Sequence, residues 1–138
     1  KVNDIFMKPI CIIDEYGDKH WRLNGLPHRE DGPAIEYANG DKAWYLYGKR
    51  HREDGPAIEY ANGNKQWFLD DLHHREAGPA IENIDGSKNW FLNGLLHRED
   101  GPSIECADGY KEWHYHGEYI DCKNNQEFLR MIKLMIFL

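Results

Sequence analysis

With 138 residues, the chain is long enough for one ordinary domain. Its 17 Lys and Arg stand against 24 Asp and Glu, a net charge of −7. That balance repels phosphate backbones and anionic headgroups, so naked nucleic acid and membranes are disfavoured as partners. No apolar stretch reaches the roughly 18 residues of a membrane span. No signal-peptide pattern stands at the front. Cys11, Cys106 and Cys122 lie far apart without a CxxC pattern, which points to a reducing, cytoplasmic setting.

Five tryptophans, Trp21, Trp44, Trp67, Trp90 and Trp113, are spaced by 23 residues. The words around them recur, as in His51-Arg52-Glu53-Asp54-Gly55-Pro56-Ala57-Ile58-Glu59 followed by Asn62-Gly63 and Lys65. Self-similarity at this period marks a repeat array, which grows by stacking and needs no single spherical core. The array is expected over 1–122, with a C-terminal segment, 123–138, belonging to the same domain.

In chain order, the first hairpin turns at Tyr16-Gly17, with a poorer residue before the glycine. The next four turn at Asn39-Gly40, Asn62-Gly63, Asp85-Gly86 and Asp108-Gly109. Asn-Gly and Asp-Gly are the preferred pairs of a two-residue type I′ turn. Such a turn at Asn39-Gly40 pairs Tyr37 with Lys42, Glu36 with Ala43 and Ile35 with Trp44. Strand alternation then puts Ile35, Trp44 and Leu46 on one face. A buried ladder follows: Ile35, Ile58, Ile81 and Ile104 beside the five tryptophans. Glu36, Glu59, Glu82 and Glu105 fall on the opposite face with Tyr45, Phe68 and Phe91. These three aromatics form a stripe bordered by carboxylates, either exposed, the pattern of an interface anchor, or covered by another element such as the C-terminal helix or a second copy of the chain. Tyr47 lies beside them at a second variable position.

His-Arg-Glu-Asp-Gly-Pro links the hairpins at His28, His51 and His97, with Ala77 breaking the copy that starts at His74. Imidazole beside carboxylate could bind zinc or move protons. Four near-identical copies, however, offer no single place where different groups converge. A structural ladder of alternating charges between rungs is the stronger expectation, with no catalytic residue, no metal and no cofactor. The last segment opens with Asn124-Asn125-Gln126-Glu127, good helix-starting residues, and continues almost wholly apolar. It predicts a short helix capping the last hairpin, with Phe128, Met131, Ile132 and Met135 as an alternative docking or dimer face.

The unit resembles MORN repeats in its 23-residue length, its aromatic strand, the connectors Asn24-Gly25 to His28, Gly48 to His51 and Asn93-Gly94 to His97, and the spans Tyr37 to Gly40 and Tyr60 to Gly63. The resemblance covers about residues 10 to 121 and looks closest to a divergent branch carrying HREDGPA, found in phage and giant-virus proteins. It implies an all-β array of about five hairpins in one elongated twisted sheet. It also implies a binding or scaffolding role. The resulting expectation is a non-catalytic module, phage or viral, acting in the host cytoplasm. There it would occupy the basic groove of a host protein, such as a defence nuclease or complex. Alternatives are a self-associating scaffold, as a homodimer, and capture of a nucleotide or sugar on the aromatic stripe.

Overall fold

The computed structural model describes residues 8–138. It is an all-β, hairpin-rich antiparallel fold with one short helix at its C-terminal end. Contacts group the chain into two compact units, 1–72 and 73–138. All three cysteines are free.

In the first unit the sheet runs Ile10–Ile13, Lys19–Leu23, Ile35–Glu36, Lys42–Ala43, Ile58–Glu59, Lys65–Gln66, every neighbour antiparallel. Its register differs from the expected one. Ile35 pairs with Ala43 and Glu36 with Lys42. The cause is the turn. Tyr37 N–H donates to the Asp41 carbonyl and Gly40 N–H to the Tyr37 carbonyl, closing a three-residue loop. Only Gly40 is left-handed there, at φ 97°. This is a type I turn completed by a glycine bulge, not a two-residue type I′ turn. Asn39 has a different use: its Oδ1 accepts the Asp41 N–H at 2.9 Å. Asn62, Asp85 and Asp108 do the same for Asn64, Ser87 and Tyr110. In the first hairpin Asp14 supplies that oxygen, accepting from Tyr16 and Asp18.

One residue of slip moves every side chain to the other face. Lys19, Glu36, Lys42, Glu59 and Lys65 therefore stand in one cross-strand row of alternating charge. His20, Ile35, Ala43, Ile58 and Gln66 form the neighbouring row on the other face. Ile35 is thus a partner of Ala43, not of Trp44, and the expected Ile–Trp ladder is replaced. Trp44, two residues from Lys42, shares the charged row's face. The residue after each Trp shares the face of the isoleucines, where Ile35, Ala43 and Phe68 are buried.

Each repeat carries a second hairpin, where the sequence pattern suggests only a linker. Tyr45–Leu46 pairs with Lys49–Arg50 around Tyr47-Gly48, where both turn residues are left-handed, at φ 48° and 83°. The same two-residue turn recurs at Asn24-Gly25, Asp70-Asp71, Asn93-Gly94 and His116-Gly117. The type I′ turns of this fold are therefore in the connectors.

The second unit repeats the plan. Its sheet runs Ile81–Glu82, Lys88–Asn89, Ile104–Glu105, Lys111–Tyr115, Glu118–Ile120. The helix, Asn125–Ile136, starts as expected: Asn124 Oδ1 accepts the Glu127 N–H, and Glu127 Oε2 accepts the Lys123 N–H. It covers the last hairpin, with Phe128 and Ile132 packed on Ile120 among Trp113, Tyr115 and Cys122. Trp113 Nε1 donates to Asn125 Oδ1 at 2.8 Å. Phe128 and Ile132 thus face inward, which removes them from the expected docking face. Leu129, Leu134, Ile136 and Phe137 are the exposed apolar side chains of this end, with Met135 beside them.

Candidate functional site

Each connector is held by hydrogen bonds of its histidine and its arginine. His28 Nδ1 accepts the Tyr47 N–H at 2.9 Å, clasping the next repeat's left-handed turn. His51, His74 and His97 hold Asp70, Asn93 and His116 in the same way. In His28, His74 and His97, accepting at Nδ1 leaves the proton on Nε2, which faces the glutamate two residues on at 3.6 to 3.8 Å; His51 Nδ1 also lies 3.1 Å from Asp70 Oδ1, and its Nε2 3.5 Å from Glu53.

The arginine that follows lies flat on a tryptophan. The guanidinium carbons of Arg29, Arg52 and Arg98 stand 3.9 Å from the ring centroids of Trp21, Trp44 and Trp90. Arg52 Nε also donates to Asp54, and Nη1 to the Pro56 carbonyl and to Glu59. Arg29 and Arg98 make the equivalent three bonds. Arg75, with Ala77 in place of the aspartate, keeps those to Pro79 and Glu82. The glycine before each proline leaves room for this arrangement, since a Cβ on Gly55 or Gly101 would stand 2.9 Å from the guanidinium carbon. The ion pairs of the connector arginines therefore close within one repeat, where alternation between rungs was expected; Arg50 reaches across to Asp71 of the next.

The histidine and arginine of each connector point into the fold, and its acids point out. Glu30, Asp31, Glu53, Asp54, Glu76, Glu99 and Asp100 expose 72–86% of their side chains. Between them lie grooves. In the first unit one of about 740 Å³ runs between the connectors at Arg29 and Arg52, floored by Trp44 and Leu46. A second, about 570 Å³, adjoins it over Trp21 and Leu23. The second unit has a counterpart of about 680 Å³ over Trp90 and Leu92. Composition shows the acid but not where it gathers. The repeat pattern hides the grooves, because it assigns the tryptophans to the core.

The expected aromatic stripe is a correction. Phe68 is 1% exposed and lies beneath the Arg50 guanidinium, 4.1 Å from its ring. Phe91 is half-buried and stacks on His73 at 5.1 Å. Tyr45 is also half-buried. Tyr47 is exposed, with its ring 4.2 Å from that of His28. Glu36, Glu59, Glu82 and Glu105 are half-buried partners of the connector arginines.

Two clusters have the composition of a reactive site. Ser103 Oγ lies 2.7 Å from His114 Nδ1, and His114 Nε2 lies 3.7 Å from Glu112. Burial pushes the His114 imidazole below its ordinary pKa, against the opposing pull of Glu112. Ser103 is fully buried, however, in the slot that Ala34, Ala57 and Ala80 fill elsewhere. Asp14, Asp18 and His20 lie within 4.8 Å of one another. All three are engaged in holding the fold. Asp14 bonds its own turn and His20, the latter at 3.1 Å, and Asp18 accepts the Ala38 N–H.

Compared with protein-family models and with curated proteins, the chain matches none. No helix among the described residues is long and apolar enough to cross a membrane.

Proposed function

We propose that the chain is a non-catalytic, protein-binding repeat module whose acidic connector edge holds a basic surface of its partner. The observation that carries this is the split within each connector. His and Arg lock the backbone, and the carboxylates are left projecting from a rigid frame beside Trp-floored grooves. A backbone already held in place loses less entropy on binding than a mobile one. Within each unit, clustered carboxylates of one sign speed encounter with a complementary surface. Resemblance to the HREDGPA units of phage and giant-virus proteins supports a host protein with a basic groove as that partner, met in the cytoplasm. The buried Ser103 and the repeated, non-converging connectors support a role without catalysis.

The test is affinity capture from host lysate with the whole chain and with a variant carrying Glu30→Lys, Glu53→Lys, Glu76→Lys and Glu99→Lys. These glutamates reach only the imidazole edge, so the variant is expected to fold, as judged by circular dichroism. A basic partner lost by the folded variant supports the edge. Partners kept by both proteins would overturn it.

A second reading, self-association, is favoured by the outward Leu129, Leu134, Ile136 and Phe137 of the C-terminal end. Light scattering across a concentration series separates the two, since a monomer at every concentration excludes a homodimer.

A further inference from the structure

Resting on the binding role just described, we propose that the partner's segment is a cationic polyproline II helix with Lys or Arg at every third residue. In the first unit the grooves over Trp21 and over Trp44 share one ridge, and Arg29, Glu30 and Asp31 line both. The next ridge is Glu53 and Asp54. Ridges and grooves therefore repeat once per 23-residue unit, which is two strands of the sheet, or about 9.5 Å. A segment crossing the ridges has to present like side chains at that pitch.

Polyproline II meets it, with three residues per turn and ~3.1 Å per residue giving about 9.3 Å. A β-strand presents one face at about 6.7 or 13 Å and falls out of step at the first ridge. An α-helix comes back to one face after seven residues, about 10.5 Å, with a drift of about 20°. It misses by about 1 Å per ridge and accumulates the error.

The chemistry fits a basic side chain in each groove. A Lys or Arg stem lies over Leu23 or Leu46 on the groove floor, beside the arginine-stacked tryptophan, while its head reaches the ridge carboxylates. Glu59 and Asp54 already take up Arg52, and Glu36 and Asp31 take up Arg29. Glu30 and Glu53 face only an imidazole edge, at 3.8 and 3.5 Å, and keep their charge for a ligand. Polyproline II has no internal hydrogen bonds to lose and is already extended, so little ordering opposes binding.

The test uses fluorescent peptides of four lysines and eight prolines. One carries lysine at every third position; two isomers carry it at every second position or in one cluster. Anisotropy is followed with the full chain and with its Glu30→Gln, Glu53→Gln variant, checked for an unchanged melting temperature. The period-three peptide is expected to bind about tenfold more tightly than either isomer, a difference of about 1.4 kcal/mol, and to lose most of that advantage in the variant. Equal binding of all three peptides, weakened by the variant, would overturn the polyproline II period and leave the acidic edge standing. No binding by any peptide would overturn both. Binding that the variant does not change would place the site elsewhere and overturn this one.

Discussion

His97 accepts the backbone N–H of His116 at its Nδ1, 2.9 Å away, so this imidazole is a fixed acceptor for a turn in the next repeat. The bond needs a neutral ring. Burial, and then the neighbouring His116, push His97 below its ordinary pKa, while Glu99 opposes them. His114 is lowered by burial as well. Unfolded chains therefore bind more protons than folded ones below about pH 6.5, and stability rises with pH through that window. It is complete above the unfolded histidine value and is lost as pH falls toward the folded one. Melting temperature is expected to hold level from pH 7.5 to about 6.5 and to fall between about 6.5 and 5. A flat profile would show that His97 does not hold its turn as a neutral acceptor.

Phe68 is the largest buried side chain of the first unit, fully covered under Arg50. Phe68→Ala is expected to cost about 3–5 kcal/mol in chemical unfolding, the range for deleting a buried aromatic. Phe91→Ala, at a half-buried site, should cost clearly less. A loss below about 1 kcal/mol for Phe68→Ala would mean that the face carrying the isoleucines is not the core.

Gly55 is small for the sake of Arg52, not for its backbone angle. A methyl group there would stand 2.9 Å from the guanidinium carbon that rests on Trp44. Gly55→Ala is therefore expected to push the arginine off the ring and cost about 1–3 kcal/mol, as overpacking does. Tryptophan emission should shift with it. An unchanged spectrum and melting temperature would show that the stack tolerates displacement.

Tyr47 holds a left-handed φ of 48° where Asn24 and Asn93 stand in sister repeats. Asparagine tolerates that region better than an aromatic residue does. Tyr47→Asn should raise stability by about 0.5 kcal/mol, part of the left-handed penalty, with the lost contact to His28 offsetting the rest. A clear loss of stability would make the ring contact the larger effect.

The spacing of the tryptophans was enough to announce stacked hairpins, and Asn124 to Glu127 to announce the helix. What the residues could not show was which turn each Asn-Gly pair makes. At Asn39 the side chain bridges its own loop; at Asn24 the same residue type sits left-handed. The two uses look alike in sequence and differ by one residue of register. That single residue puts Ile35 beside Ala43 instead of Trp44 and buries Phe68, while the five tryptophans are half-buried. The type I′ turn at Tyr47-Gly48 was hidden because tyrosine is a poor sign of a positive φ. The pairing of Arg29 with Glu36 was also out of reach. The two are seven residues apart, and only the Gly-Pro turn between them brings the side chains together.

Register itself can be tested at Lys42. Here it faces Glu36 on one neighbouring strand and Glu59 on the other. With a two-residue turn at Asn39-Gly40 it would face Tyr37, and Ala43 would face Glu36. Lys42→Glu therefore sets three carboxylates side by side in the observed register and only extends an exposed surface in the other. Like charges directly opposite destabilise a sheet, by about 1 kcal/mol at such a site. Because the site is exposed, salt screens much of that cost. The variant should melt lower at low ionic strength and recover as salt is added. Adding Glu36→Lys and Glu59→Lys would reverse the row's charges but strip Arg29 and Arg52 of their partners. The triple variant should thus remain less stable than the parent even though its strands again alternate in sign. Full recovery in the triple variant would mean that the glutamates serve only the lysine row. No loss in Lys42→Glu would mean that lysine and glutamate are not cross-strand neighbours at all.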